Sequence, residues 1–177
     1  MKIQMVDLCG QYRHIKTEID DEIQRVINSA AFINGGKVKE FADNLARYAG
    51  AKYVIPCGNG TDALQIALMA LGLRPGDEVI VPAFTYVASA EVIALLGLTP
   101  VMVDVDPDSF NVTVDNIERG ITSRTRAIIP VHLFGQSCDM HTILTLANTY
   151  ALFVVDGYGE ARGGVYTFAV GSGSKTG

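Results

Sequence analysis

From residue 51 onward, short runs rich in Val and Ile alternate with stretches of helical periodicity, and this alternation limits the possible folds more than any other feature. The runs are nearly continuous in apolar character, which is typical of parallel strands covered on both faces. Parallel strands need crossover connections, and the intervening helices supply them. The sequence therefore predicts an α/β fold, a three-layer sandwich around a mostly parallel sheet. The predicted strands are 53–57, 78–82, 100–105, 126–131 and 152–156, and the predicted helices between them are 61–72, 88–97, 114–121 and 140–149.

The first 50 residues show helical periodicity alone. Apolar residues recur at helical spacing over 18–27 and again over 37–48, which predicts two amphipathic helices. We therefore divide the chain into an N-terminal helical segment, residues 1–50, and an α/β domain, residues 51–177.

Composition and charge narrow the class of protein. The 177 residues are 49% apolar and 19% charged, which argues against intrinsic disorder. The net charge of -5 gives no reason to expect a nucleic acid or an anionic membrane as partner. The N-terminus lacks a secretory signal pattern, and the cysteines lie far apart. These features predict a cytoplasmic globular protein without a metal site.

A Gly58-Asn59-Gly60 turn follows the first predicted strand, and a helix opens at Thr61. This order directs backbone N–H groups and the positive end of a helix toward one point, which suits a phosphate group. One interpretation is a phosphate cradle formed by Gly60 and Thr61. The other is an ordinary turn in which Thr61 is the N-cap. The predicted helix is apolar nearly all round, so its burial would fix the direction of its dipole and favours the cradle.

Three further residues lie at the carboxyl ends of predicted strands, the edge at which open α/β sheets bind ligands. Tyr86 is either a packing residue or a platform for a planar ring. Asp156 either caps a turn or keeps the nitrogen of a pyridine ring protonated. His132 is either a core histidine with satisfied hydrogen bonds or a ligand contact.

A glycine-rich run over 157–164 follows the last predicted strand and resembles part of a dinucleotide-binding motif. A true motif of this kind opens a helix and has an acidic residue about 20 residues further on. Here the next residues have an extended pattern, so an NAD-dependent oxidoreductase is the least favoured interpretation.

Taken together, four segments in order resemble the DegT/StrS-type sugar aminotransferases, which are pyridoxal-phosphate enzymes of fold type I. The segments are 59–64, 76–80 with 82–86, 103–107 and 130–136. The resemblance implies pyridoxal 5'-phosphate as cofactor, with Gly60 and Thr61 on its phosphate and Tyr86 stacked on its ring. It implies amino transfer from an amino acid, commonly glutamate, to a keto-sugar attached to a nucleotide. It also implies a homodimer with the active site at the subunit interface.

The sequence departs from the family pattern at the end of the fifth predicted strand. The pattern Glu-Asp-x-x-Gln places an Asp on the pyridine nitrogen and a Gln near the ring hydroxyl, and this chain has Gly157 and Glu160 there. We predict that Glu160 contacts the cofactor and that Asp156, offset by one, replaces the missing Asp. An offset of one turns a side chain to the opposite face of a strand. Either the backbone bulges to bring Asp156 round, or the partner of the pyridine nitrogen is lost.

The resemblance also implies that the Schiff-base lysine lies beyond Gly177. We therefore assign no catalytic residue in this chain, and Lys175 is not given that role. We expect the chain to be the N-terminal part of an aminotransferase, with an incomplete α/β domain and no activity alone. The alternative is a non-catalytic homologue that binds the phosphate or a partner without transamination. Gly157 and Glu160 favour that alternative, whereas the other motifs favour the enzyme.

Overall fold

Two long helices form the described part of the first of two compact units into which the chain divides, residues 1–54 and 55–177. The computed structural model describes residues 6–156. In the first unit, helix α1 spans Leu8–Ser29 and helix α2 spans Gly36–Ala49. Both helices were expected from the spacing of their apolar residues. Helix α1 begins ten residues before the predicted helix 18–27, which is about three helical turns.

Local capping fixes the ends of these helices. The Asp7 carboxylate accepts a hydrogen bond from the Gly10 amide at 2.8 Å, so it caps the start of α1. Gly50 ends α2 with φ 65°, a left-handed conformation that glycine adopts without steric cost. An ion pair of 2.8 Å between Lys37 Nζ and Glu22 Oε2 links the two helices.

Among residues 6–156, no helix combines the length and apolarity that a membrane crossing requires.

The second unit contains a four-stranded sheet in which every described pairing is parallel. The strand order is β2-β1-β3-β4, so the first strand lies inside the sheet. The strands are β1 (Glu78–Pro82), β2 (Thr99–Val103), β3 (Thr125–Ile128) and β4 (Phe153–Val154), and the helices are α3 (Gly60–Ala70), α4 (Ala88–Leu95), α5 (Val114–Arg119) and α6 (Met140–Thr149), with a 3-10 turn at Leu133–Gly135.

Helices cover both faces of this sheet, which makes the predicted three layers. Successive residues of a strand point to opposite faces. Val79 and Val81 of β1 therefore pack against α3 and α4, whereas Ile80 between them packs against α5 and α6. The α3/α4 side includes Leu64, Leu68, Val92, Ile93, Ala127, Ile129 and Val155, and the α5/α6 side includes Val103, Ile117, Ile128, Ile143, Leu146, Ala147 and Val154. The predicted fold class is confirmed.

One predicted strand was wrong. Residues 53–57 form no strand in the described structure, and Tyr53, Ile55 and Cys57 are exposed. A strand exists only where a neighbour completes its hydrogen-bond ladder. No described strand pairs with this segment, and Pro56 lacks the N–H that a ladder would use.

At the amino edge of the sheet, the buried carboxylate of Glu78 joins β1 to the turn before β3. Arg124 Nε donates to Glu78 Oε1 at 2.9 Å, and the Thr122 hydroxyl donates to Oε2. The Thr122 hydroxyl, and after it the Arg124 guanidinium, lower the pKa of Glu78 below its ordinary value of 4.5. Both contacts favour the ionised form, so the carboxylate is satisfied although it is buried.

We expect Glu78→Gln to lower the free energy of unfolding at pH 7 by about 1–3 kcal/mol, because a hydrogen-bonded charge is lost. A group whose pKa is depressed by folding stabilises the protein above its unfolded pKa and ceases to do so as the pH falls through its folded pKa. The difference between the native protein and the variant should therefore shrink as the pH falls below 4.5.

Urea unfolding measured from pH 7 down to the acid limit checks this prediction. Glu18→Gln, which removes an exposed carboxylate of α1, is the matched control and should change stability by less than about 0.5 kcal/mol. A Glu78→Gln difference that stays constant with pH would contradict the prediction.

Candidate functional site at the carboxyl edge of the sheet

The start of α3 and the carboxyl ends of the strands belong to the same edge of the sheet. Residues 71–77 connect the end of α3 to the start of β1, so the helix ends at the amino edge. Its 11 residues rise about 16 Å, close to the length of a five-residue strand, so its first turn reaches the opposite edge. This is the edge at which parallel α/β sheets bind ligands.

The first turn of α3 is capped by Asn59. Its side-chain oxygen accepts a hydrogen bond from the Asp62 amide at 2.9 Å, and its side-chain nitrogen donates to Asp62 Oδ2 at 3.0 Å. A Cβ added to Gly58 would lie 2.9 Å from the same Asp62 oxygen, so the turn favours glycine there. The sequence interpretation that makes Thr61 the N-cap is therefore wrong, because Asn59 occupies that position.

Capping by Asn59 leaves other donors of the turn available. Within residues 6–156, the amides of Gly60 and Thr61 and the Thr61 hydroxyl show no hydrogen-bond partner. Both residues are half-buried, and Ala63 and Leu64 just after them are buried. The turn thus presents two amides and one hydroxyl at the positive end of a firmly packed helix, which is a chemically competent anion site.

Aromatic residues surround the same edge. Tyr86 follows β1, is 70% exposed, and lies just before α4, which packs beside α3. Phe84 and Phe110 follow neighbouring strands, and their ring centroids are 5.6 Å apart in a tilted arrangement. Phe110 adopts φ 59°, a left-handed conformation that is rare for an aromatic residue. Tyr86 therefore has an open ring face, as a stacking platform requires.

His132 and Asp156 meet at the ends of β3 and β4. His132 Nε2 lies 2.7 Å from Asp156 Oδ1, and the two residues are 0% and 3% exposed. The Asp156 carboxylate raises the pKa of His132, because it stabilises the protonated ring. The Cys138 amide donates to Nδ1 at 2.9 Å, which leaves Nε2 as the ring nitrogen next to the carboxylate.

A buried asparagine that the sequence interpretation missed holds the loop after β3. The Asn111 side chain donates to the Gln136 carbonyl at 3.0 Å, and its oxygen accepts from the Leu133 amide at 3.2 Å. Phe134 lies between these anchors with φ 55° and an exposed ring. Asparagine is common in surface loops, so its identity alone gave no signal; its partners lie more than 20 residues away in sequence.

The structure brings Gly60, Thr61 and Tyr86 to one edge and pairs Asp156 with His132. Glu160 and the glycine-rich run over 157–164 lie outside the described residues. Their predicted roles remain predictions.

Comparison with known proteins gives a family match over nearly the whole chain. The model of the DegT/DnrJ/EryC1/StrS aminotransferase family matches residues 13–177. A curated relative, the UDP-2-acetamido-2-deoxy-3-oxo-D-glucuronate aminotransferase of Pseudomonas aeruginosa, is 50% identical over 164 residues, which are 93% of this chain and 46% of the relative. The chain thus spans under half the length of this curated relative.

Solved structures of similar proteins share the fold. The structure of DesV from S. venezuelae, in complex with a ketimine intermediate, matches with a TM-score of 0.89 and 37% identity, over 92% of this chain and 44% of that one. NtdA from Bacillus subtilis, with bound cofactor PMP, matches with a TM-score of 0.84 and 35% identity, over 93% and 39%. The fold is that of the pyridoxal-phosphate-dependent aminotransferases.

We expect Asn59→Ala to lower the free energy of unfolding by about 1 kcal/mol, because the Asp62 amide loses its capping partner. Asn59→Ser keeps a capping oxygen and should retain most of that stability. Thermal unfolding of both variants beside the native protein checks this. Equal stability of the Ala and Ser variants would contradict the assignment of the cap.

Proposed function

Because the chain belongs to the DegT/DnrJ/EryC1/StrS aminotransferase family, we propose that it forms part of a pyridoxal-phosphate-dependent sugar aminotransferase. The reaction moves an amino group from an amino acid, with glutamate as the expected donor, to the keto group of a sugar linked to a nucleotide. The observation that carries this proposal is the donor set at the start of α3, where Asn59 completes the cap and leaves Gly60 and Thr61 for an anion.

The residues present fit the phosphate of the cofactor. A phosphate monoester dianion needs several N–H or O–H donors and a positive potential. The amides of Gly60 and Thr61, the Thr61 hydroxyl and the dipole of α3 supply both. The Asp62 carboxylate in the same turn is negative, but the Asn59 side chain donates to it at 3.0 Å and so neutralises part of its effect.

The residues also fit one face of the cofactor ring. Tyr86 presents an exposed aromatic ring at the carboxyl edge, and an electron-poor pyridine ring stacks well on a phenol. We propose that Tyr86 orients the ring and shields one face from water. Glu160 is proposed as a further contact to the ring. Asp156 has one carboxylate oxygen engaged by His132, which limits what it can offer to a ligand.

The cofactor supplies the chemistry of amino-group exchange, and the described residues supply its binding and orientation. When bound, pyridoxal phosphate supplies the electron-withdrawing ring that amino-group exchange requires. Gly60 and Thr61 would hold the phosphate end of the cofactor. Tyr86 would offer its exposed ring as a surface on which the cofactor ring can stack. We assign no proton-transferring residue within the described part of the chain.

The proposal extends to partners and location. We propose a cytoplasmic homodimer whose active site takes residues from both subunits, with a nucleotide-sugar and an amino acid as substrates. A second candidate is a non-catalytic homologue that keeps the phosphate site. The observation that favours it is the pairing of Asp156 with His132, together with Gly157 as the next residue.

Two measurements on the protein from its natural source separate these candidates. Borohydride reduction after incubation with pyridoxal phosphate, followed by intact mass measurement, should show one covalent cofactor per chain. Mass spectrometry of a mixture with glutamate and a UDP-linked 3-keto-sugar should show the amino-sugar. Cofactor bound without any covalent adduct or amine would refute the aminotransferase and support the non-catalytic homologue.

We expect Thr61→Val to weaken pyridoxal-phosphate binding by roughly 10- to 100-fold, the effect of one hydrogen bond to a charged group. Thr61→Ser keeps the hydroxyl and is the matched control. Fluorescence titration with pyridoxal phosphate and with pyridoxal, which lacks the phosphate, checks the site of the effect. A Thr61→Val variant that weakens both ligands equally would contradict a role for Thr61 at the phosphate.

A further inference from the structure

The pair His132 and Asp156 is the most deeply buried ionisable pair in the described chain. The histidine is 0% exposed, and its Nε2 lies 2.7 Å from Asp156 Oδ1. A carboxylate in such a place is stable only with a committed partner, because burial removes the water that would otherwise solvate it. Asp156 therefore depends on His132.

The orientation of the histidine ring is fixed from its other side. The Cys138 amide donates to Nδ1 at 2.9 Å, and the Cys138 thiol donates to the Val131 carbonyl at 3.2 Å. Since Nδ1 accepts a hydrogen bond, it carries no proton in this arrangement, and the proton of a neutral ring is on Nε2, the nitrogen 2.7 Å from Asp156 Oδ1. The loop over residues 131–138 thus holds the His132 ring with its Nε2 next to Asp156, which follows β4.

The face of the sheet on which Asp156 lies follows from its neighbours. Val154 packs in the cluster that contains α5 and α6, and Val155 packs in the cluster that contains α3 and α4. Cys138, whose amide donates to the His132 ring, packs in the same cluster as Val154. The contact of Asp156 with His132 therefore places the Asp156 carboxylate on the side of Val154.

The proposed phosphate site lies in the other layer. Gly60 and Thr61 begin α3, and the buried residues of α3 pack with Val155, not with Val154. A ring anchored by its phosphate at α3 would approach the sheet edge from the α3/α4 side. Asp156 is turned away from that side and is already engaged.

We propose that His132 and Asp156 form a structural histidine–carboxylate pair that fastens the loop 131–138 to the end of β4, and that Asp156 is thereby withheld from the pyridine nitrogen of the cofactor. His132 is a positioning residue in this arrangement. The first half of the proposal stands on the geometry of the described residues alone. The second half rests on the proposed function.

The pair is tested without cofactor by a double-mutant cycle of His132→Gln and Asp156→Asn, read by urea unfolding. Each single variant should raise the unfolding equilibrium constant at pH 7, and the coupling should be at least tenfold. Nitrogen NMR of the native protein labelled in histidine should show His132 protonated on Nε2 and unprotonated on Nδ1. Additive single effects, or a proton on Nδ1, would overturn the pair, and the NMR arm decides if a variant does not fold.

The cofactor half is tested with pyridoxal phosphate labelled with nitrogen-15 in its ring. In the native protein at neutral pH, the ring nitrogen should give the signal of an unprotonated pyridine, and Asp156→Asn should leave that signal and the dissociation constant unchanged within twofold. Gly157→Asp is the matched comparison, because it places a carboxylate at the position where the family pattern has one. This variant should move the ring-nitrogen signal toward that of a protonated pyridine.

The proposal would be overturned if the native protein gave the signal of a protonated pyridine and Asp156→Asn lost it. That result would show that Asp156 contacts the ring nitrogen. A native protein that binds no pyridoxal phosphate would refute the proposed function instead. The double-mutant cycle and the histidine spectrum would then decide the histidine–carboxylate pair by themselves.

Discussion

The parallel pairing of β1 with strands on both sides is the interaction on which the rest of the second unit depends. All five residues of β1 are buried, and the strand pairs with β2 on one side and β3 on the other. Because both faces of β1 are apolar, each face needs a layer of helices, and each crossover must return the chain to the amino edge. The carboxyl ends of the strands and the start of α3 therefore fall at one edge, where the candidate site lies.

Elements that the sequence predicted correctly are those whose signal is local. The strand 78–82 and the helix 140–149 show their period within one short window, and the structure has both with the same bounds. The segment 53–57 has the same apolar character, but a strand also needs a neighbour, and periodicity carries no information about neighbours. The strand predicted over 152–156 is regular only at Phe153–Val154, because pairing with β3 ends there.

The site shows the same division between local and distant causes. The glycine-rich turn before α3 identified the start of the helix, yet it left two residues able to cap it, and only the structure showed that Asn59 does so. Asn111 and Leu133 are 22 residues apart, and His132 and Asp156 are further apart still. No single-sequence pattern joins such residues, because the contact arises from the order of strands in the sheet.

The two faces of the sheet carry different kinds of chemistry. The buried cluster on the α3/α4 side is apolar, and α3 begins with the amides of Gly60 and Thr61, which show no hydrogen-bond partner within the described residues. The α5/α6 side instead carries the hydrogen bond from Cys138 to His132 and the 2.7 Å approach of His132 to Asp156. If the proposed anion site at the start of α3 recognises a ligand, substitutions that alter recognition fall in one layer while the other layer holds the strand ends. A backbone of this type could then change its ligand at little cost in stability, because the residues proposed to bind the ligand and those that hold the sheet edge are in different layers.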